Sequence, residues 1–446
     1  MIRHAKRSPL FHTVLFAGAV ASAATLSLFG PGLERVRAAL EDSPKAIIDE
    51  AWQIVYQEYV DGSFNQTDWL ATRQALLSKE YSSKEEAYTA LRAALEKLND
   101  PYTRFMDPQQ YLTLSNQTSG ELSGVGIRLE LNEKTKTLTV IEPIENSPAI
   151  KAGIKSGDRI LAIDGKPTKG MTVEDASNLI RGNAGTKVTL EIGREGSQNL
   201  NMAITRARIE LPTVRYSFKQ EGKGKIGYIR LSEFSAHAAE QMRRAIQDLT
   251  AKKVDGFVLD LRGNPGGLLQ SSIEISRMWL NDGAIVKTVD RRQEREKQED
   301  KTFANQTALT NLPLVVLVDG NSASSSEILT GALKDNKRAT IVGSQTFGKA
   351  LVQSVHELSD KSGLAVTIAH YYTPNGTDIS HKGISPDIKI DLTDGDRQKL
   401  SSNPKLVATM DDPQYAKAVM VLEKGVLAQP NTNPRQASTR QEQRAE

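Results

Sequence analysis

Ser324 and Lys349 are the two residues of this chain whose types and setting could do chemistry together. Both lie in VDGNSASSSEILTGALKDNKRATIVGSQTFGKALVQ, residues 318–353. A serine hydroxyl is a poor nucleophile at neutral pH and needs a base beside it. Lysine is such a base when burial disfavours its ammonium form. Gly320, Ala323, Gly348 and Ala350 are small enough to let a substrate backbone come close. The layout is that of a Ser-Lys hydrolase, a variant of the triad logic. Blander roles compete. Ser322, Ser324, Ser325 and Ser326 stand where serines commonly cap a helix, and most lysines are solvated surface charges. Lys349 differs in its small and apolar neighbours, and Ser324 sits between a strand-like VVLVDG and a helical SSEILTGAL. A strand-to-helix turn exposes a nucleophile and aims backbone N–H groups at one point. The helix N-terminus also favours a developing negative charge.

A second turn of this kind is DLRGNPGGLL, 260–269, where glycines and a proline follow a strand end and could present N–H donors to an oxyanion. The six histidines, by contrast, make no triad and lack metal-ligand spacing. His370 and His381 read as structural. Neither a metal nor a cofactor is expected.

Three kinds of periodicity must position these residues. Residues 45–117 read as helical: AIIDEAWQIVYQEYV has apolar residues at helical spacing, and SSKEEAYTALRAALEKL opens with a serine cap and an acidic first turn. We see no chemistry in this segment, which reads as a platform. Over 118–207, GVGIRLEL, LTVIEPI, RILAIDG and KVTLEIGR are strand-like runs, with a helix VEDASNLIRG between the third and fourth. With SPAIKAGIKSGDRILAIDG the pattern resembles a PDZ domain. Such domains take a peptide C-terminus as an added strand and hold its carboxylate in a glycine-containing loop. The loop would be Ser123-Gly124-Val125-Gly126, with Ile127, Leu129, Ala176, Leu179 and Ile180 lining the pocket. Residues 208–394 alternate apolar strands (KIGYIRL, GFVLDL, LPLVVLVD, ATIVG, GLAVTIAHYY) with helices, as in an α/β sheet. The charged stretch 290–302 reads as a solvated hairpin or loop. A last helix is expected over 403–427, within a C-terminal segment 395–427. The tail 428–446 is polar and expected to be disordered.

At 446 residues the chain is long enough for two or three domains of about 150 residues each. A net charge of +3 and the lack of a basic, aromatic-interleaved patch exclude nucleic acid as partner. The absence of cysteine excludes disulfides, thiolate metal sites and a cysteine nucleophile. Arg3, His4, Lys6 and Arg7 precede an apolar run from Leu10 to Phe29, the pattern of an export signal, with a candidate cleavage site after Ala38. Residues 1–38 are therefore an export signal or, uncleaved, a membrane anchor. Either places the body outside the cytoplasm.

Several separate pieces together resemble the carboxyl-terminal processing proteases: DPYTRFMDP (100–108), SPAIKAGIKSGDRILAIDG (147–165), LDLRGNPGGLL (259–269), SASSSEI (322–328), FGKALVQ (347–353), and YYTPNG with HKGISPDI (371–388). Ser325 stands where alanine is common in that family, and Ala350 where glycine is common. The resemblance implies an α/β core of crotonase/ClpP-like type, an inserted PDZ domain and an N-terminal helical domain. It implies Ser324 as nucleophile, Lys349 as base, and Gln353, one helical turn on, as the group that orients the lysine. It also implies an oxyanion hole made by the N–H of Ser325 with that of Gly266 or Gly267, the choice between the glycines staying open. The activity implied is an exported serine endopeptidase cleaving C-terminal extensions of membrane or secreted proteins that bear a free C-terminus. The stretch 33–65 and the C-terminal motifs resemble most the cyanobacterial and plastid members, whose substrate is the precursor of the photosystem II D1 protein. That implies the periplasm or thylakoid lumen. A non-catalytic PDZ adaptor on a protease scaffold is the alternative. A crotonase-like acyl-CoA enzyme, suggested by the NPGG loop, fits the export signal and PDZ pattern poorly.

Overall fold

The computed structural model describes residues 43–428 apart from 134, 223, 297 and 298. The export segment expected at 1–38 and the polar tail beyond 428 lie outside the described residues. Among the described residues no helix is long and apolar enough to cross a membrane.

The apolar runs of the second half form a six-stranded sheet in the order Val214–Glu221, Gly224–Leu231, Gly256–Asp260, Leu314–Val318, Thr340–Gly343, Ile388–Lys389. The first pair is antiparallel and the rest are parallel. Parallel strands are covered on both faces, which is why these runs are continuously apolar. Leu314–Val318 shows the division. Leu314, Val316 and Val318 join the core with helices Ala238–Ala251, Leu269–Trp279 and Ser325–Asp335. Val315 and Leu317 pack with Tyr415, Ala418, Val419 and Leu422 of the helix Pro413–Ala428. Asp260 stands beside Leu317 in adjacent parallel strands. The GNPGG and NSAS turns that follow them therefore emerge together at the carboxyl end of the sheet, where open α/β sheets place their sites.

A second sheet is built on the long strand Gly363–Tyr372, which pairs with Leu351–Glu357, Arg104–Met106 and Ala284–Asp290. The charged stretch, read as a hairpin or loop, lies in a hairpin: strand Asp300–Phe303 pairs antiparallel with Ala284–Asp290, and the connection holds a short helix, Arg291–Glu296. Near the C-terminus the single helix expected over 403–427 is shorter. A 3₁₀ turn, Pro404–Leu406, precedes it, and Pro413 opens it, a residue that suits the first helical position.

The N-terminal segment is helical, with helices Pro44–Glu58, Trp69–Leu77, Lys84–Glu96 and Pro108–Ser119. Ser43 caps the first of them through a bond from the Ala46 N–H (3.2 Å). Its face Ile47, Ala51, Trp52 and Val55 packs with Leu358, Leu364 and Val366. The helices are thereby fixed to the second sheet. Strands Ile127–Leu131, Leu138–Pro143, Arg159–Ile163, Lys187–Gly193 and Leu200–Thr205 make a separate antiparallel sheet. Its core comes from alternating buried positions, Leu138 and Val140 on one strand and Val188, Leu190 and Ile192 on another. Helix Val173–Ile180 packs on that core, and Ile127–Leu131 lies at the edge of the sheet.

Candidate active site

The chain leaves strand Leu314–Val318, turns through Asp319–Ala323 and enters helix Ser325–Asp335 at Ser324. Ser324 has φ +54° and ψ −115°, a sparsely populated conformation for a residue with a side chain. Such a conformation costs about 1–3 kcal/mol and persists only where its surroundings enforce it. The Ser324 N–H donates to Glu327 Oε2 (2.9 Å), and the Ala323 N–H donates to the Asn264 carbonyl (3.1 Å). The four clustered serines part company here. Ser322 Oγ donates to the Leu261 carbonyl, Ser325 Oγ to the Gly267 carbonyl and Ser326 Oγ to the Asn264 carbonyl, each at 2.9 Å, and all three residues are buried. Ser324 is half-buried, and its hydroxyl donates to no acceptor among the described residues. The geometry therefore favours Ser324 over its neighbours as the attacking group.

The 260–269 turn packs directly on it. Gly266 has φ +107°, and a Cβ there would stand 2.8 Å from the Ala323 carbonyl oxygen and 2.9 Å from Ser324 Cβ. Only glycine fits. The Gly266 N–H is already taken by Asn264 Oδ1 (2.9 Å), whose Nδ2 donates to the Leu231 carbonyl (2.9 Å). The N–H groups of Gly267 and Ser325 have no acceptor among the described residues. Below the turn, Arg262 is clamped between two buried carboxylates. It donates to Asp260 (2.9 and 2.7 Å), to Asp412 (3.0 and 2.8 Å) and to Gln414 (3.0 Å). Burial alone would push the Asp260 carboxyl up, but the Arg262 guanidinium outweighs it and holds the group below the usual range.

Lys349 follows Gly348, whose φ of +93° and close approach to the 381–383 backbone leave no room for a side chain. Burial pushes the Lys349 ammonium below its usual value, and the Arg104 charge pushes the same way, while Asp100 and Glu327 oppose. Nζ lies 4.6 Å from the centroid of the Tyr102 ring. It makes no hydrogen bond to Ser324 or Gln353 among the described residues. Catalytic bonds of this kind are often long in a free enzyme.

Gln353 is not on a helix. It lies in strand Leu351–Glu357, next to an irregularity in the pairing with Gly363–Tyr372, and its Nε2 is 3.5 Å from Thr367 Oγ1. The helical spacing inferred from sequence fails because backbone pairing with the long strand, begun by the Tyr371 N–H to the Ala350 carbonyl (3.0 Å), holds this segment extended.

Two residues escaped the sequence reading. Glu327 is fully buried and accepts four hydrogen bonds: from Thr346 Oγ1 (2.6 Å), Gly348 N (2.7 Å), Lys349 N (3.0 Å) and Ser324 N (2.9 Å). Burial pushes its carboxyl up, and the four donors work against that shift. Accepting four bonds and donating none is the pattern of an ionised carboxylate. It ties the turn that carries Ser324 to the turn that carries Lys349. In sequence, Ser324-x-x-Glu327 reads only as a capping box. Tyr371 makes a second tie, its buried hydroxyl bonding the carbonyls of Ser324 and Lys349.

Beside the PDZ-like sheet, Ser123 Oγ donates to the Gly182 carbonyl (2.6 Å), and Gly124 pairs with Ala207. Val125 is buried, and Gly126 has φ +84° against Ser147. Ile127, Leu129 and Leu179 are half-buried beside the edge strand. Ala176 and Ile180, expected to line the pocket, are instead closed into the core, because helix Val173–Ile180 turns that face to the sheet. An antiparallel ribbon, Glu121–Gly124 with Ala207–Glu210, joins this sheet to the rest. At its foot the Ala236 N–H donates to the Thr118 carbonyl (2.9 Å). Nearby, the Phe234 N–H donates to the Gly266 carbonyl (2.9 Å), and the Phe234 carbonyl accepts from the Leu268 N–H (2.7 Å). The ribbon thus adjoins the support of the 260–269 turn.

Comparison with known proteins agrees with this architecture. The PDZ domain family matches residues 139–194, and peptidase family S41 matches residues 225–390. The chain is 42% identical over 379 residues to a carboxyl-terminal-processing protease of Synechocystis sp., spanning 84% of this chain and 86% of that protein. It is 40% identical over 348 residues to the chloroplastic carboxyl-terminal-processing peptidase 2 of Arabidopsis thaliana, spanning 76% and 67%. Among solved structures, a photosystem II D1 C-terminal processing protease matches with TM-score 0.50 at 36% identity, covering 78% of this chain and 93% of that one. The chain belongs to peptidase family S41, among the carboxyl-terminal-processing proteases, and carries a PDZ domain.

Proposed function

We propose that this protease cleaves by a Ser324–Lys349 dyad. Neutral Lys349 takes the Ser324 Oγ proton as the oxygen attacks the scissile carbonyl. The resulting oxyanion is held by the N–H groups of Gly267 and Ser325, which have no acceptor among the described residues. The lysine then hands its proton to the leaving amine, and water resolves the acyl-enzyme. The observation that carries this reading is that the Ser324 hydroxyl, on a strained turn, donates to no acceptor among the described residues, while its three serine neighbours all donate. Gln353 orients the lysine in this scheme.

The substrate we propose is a protein with a free C-terminus, with the D1 precursor extension as the first candidate, in the periplasm or thylakoid lumen. The edge strand Ile127–Leu131 would receive the C-terminus as an added strand, with the 123–126 loop at its carboxylate. The test incubates the full chain with a peptide carrying the D1 precursor extension, as free acid and as C-terminal amide. We expect a defined cut in the free acid, slower cleavage of the amide, and none with Ser324→Ala. Equal rates on both peptides would remove the PDZ domain from substrate selection. Cleavage by folded Ser324→Ala would remove the dyad.

A further inference from the structure

The turn Asp100–Arg104 belongs to the helical segment that reads as a passive platform, yet it is built onto the base. Tyr102 N–H and Thr103 Oγ1 both bond Asp100 (2.9 and 2.7 Å), and Thr103 Oγ1 accepts the buried Thr367 N–H (3.0 Å). Arg104 then pairs with Ala365 in the long strand. That strand also carries Tyr371, which bonds the Lys349 carbonyl. The turn is therefore fixed relative to Lys349, and it presents the Tyr102 ring to Nζ at 4.6 Å, inside the range of a cation–π contact.

We propose that Tyr102 is a positioning residue for the base: its ring holds the charged Lys349 side chain at rest, off Ser324, and lets go of it when the lysine becomes neutral. The inference rests on Lys349 being the base. An ammonium is drawn to the negative face of a ring, and an uncharged amine is not. The contact thus restrains the form that cannot act and frees the form that can. The charged and titratable groups facing Lys349 are Asp100, Tyr102 and Arg104 from the turn, Glu327 from helix Ser325–Asp335 and Tyr371 from the long strand. Burial holds the Tyr102 phenol above its usual value, so the ring stays neutral through the working range. Arg104 opposes the ring, since its charge disfavours the ammonium.

The test is the pH dependence of kcat/KM for the full chain on one short peptide, because that profile reports the free enzyme. Tyr102→Phe keeps the ring and should keep the acid limb of the wild type. Tyr102→Leu loses the ring, and the limb should move to lower pH by roughly 0.4–1.5 units. Arg104→Gln should move it to higher pH. A merely structural role for Tyr102 would lower the rate at every pH and leave the limb in place. A limb unmoved or raised in Tyr102→Leu overturns the proposal. Should that variant not fold, Tyr102→Trp carries the test: its stronger ring should raise the limb, and a limb unmoved or lowered overturns the proposal. A wild-type profile with no acid limb, chemistry being rate-limiting, would instead remove Lys349 as the base.

Discussion

Replacing Glu327 with glutamine changes few atoms and should disable the site. Glu327 accepts bonds from Thr346 Oγ1 and Gly348 N on one carboxylate oxygen, and from Lys349 N and Ser324 N on the other. A glutamine keeps one accepting oxygen. Whichever way its amide points, two of the four donors then face an NH₂ group. A buried donor left without an acceptor costs about 1–3 kcal/mol, and of the four only the Thr346 hydroxyl can turn to accept from the NH₂, so the loss should be about 1–6 kcal/mol in all, depending on the orientation. If the amide nitrogen faces Ser324 and Lys349, the bond holding the strained Ser324 backbone is lost, and the turn relaxes away from φ +54°. A misplacement of this kind costs on the order of 10²-fold in rate. We expect Glu327→Gln to lower kcat by about that factor, with KM changed much less, and to lower Tm by roughly 5 °C or more. The assays are steady-state cleavage of a short peptide and calorimetric melting. Near-wild-type kcat with an unchanged Tm would refute the idea that the carboxylate clamps the two turns together.

Three other outcomes are expected. Lys349→Met should abolish turnover yet raise Tm at neutral pH. The folded pKa of Lys349 lies below its ordinary 10.5, so the unfolded chain keeps a proton that the fold releases. That penalty on folding is full below the folded pKa and fades as pH rises towards 10.5, so the Tm gain should shrink in alkali. Arg262→Met should destabilise the protein by about 3–5 kcal/mol in denaturant titration, because buried Asp412 would lose its ion-pair partner and buried Asp260 would keep only Arg230, at 3.5 Å. Gln353→Ala should lower kcat without abolishing it. Full activity would remove Gln353 from the orientation of the base.

The parts of the site that lie close in sequence are legible there. Ser324 can be read from the strand-to-helix turn, Lys349 from its small and apolar neighbours, and the central strands from their unbroken apolar runs. What stays hidden depends on tertiary pairing. Glu327 looks like a capping residue in sequence, because three of its four donors are set only by how the 346–349 turn folds back onto it. Tyr102 gives no sign of chemistry, because it reaches Lys349 through a strand pairing far along the chain. The i+4 spacing of Gln353 from Lys349 suggests a helix, but from Leu351 the segment is a paired strand, with a shift in register between Val352 and Gln353. Analogy assigns Ala176 and Ile180 to a binding pocket, and periodicity alone does not say which apolar positions of helix Val173–Ile180 close into the core.

The most direct test of the central claim is to acylate the protein with a serine-directed probe and map the modified residue by peptide mass spectrometry, in the wild type and in Lys349→Ala. We expect modification at Ser324 alone among Ser322, Ser324, Ser325 and Ser326, at a rate that rises with pH in the wild type and collapses in Lys349→Ala. Modification at another of these serines, or at Ser324 with equal speed when Lys349 is absent, would contradict the Ser324–Lys349 dyad.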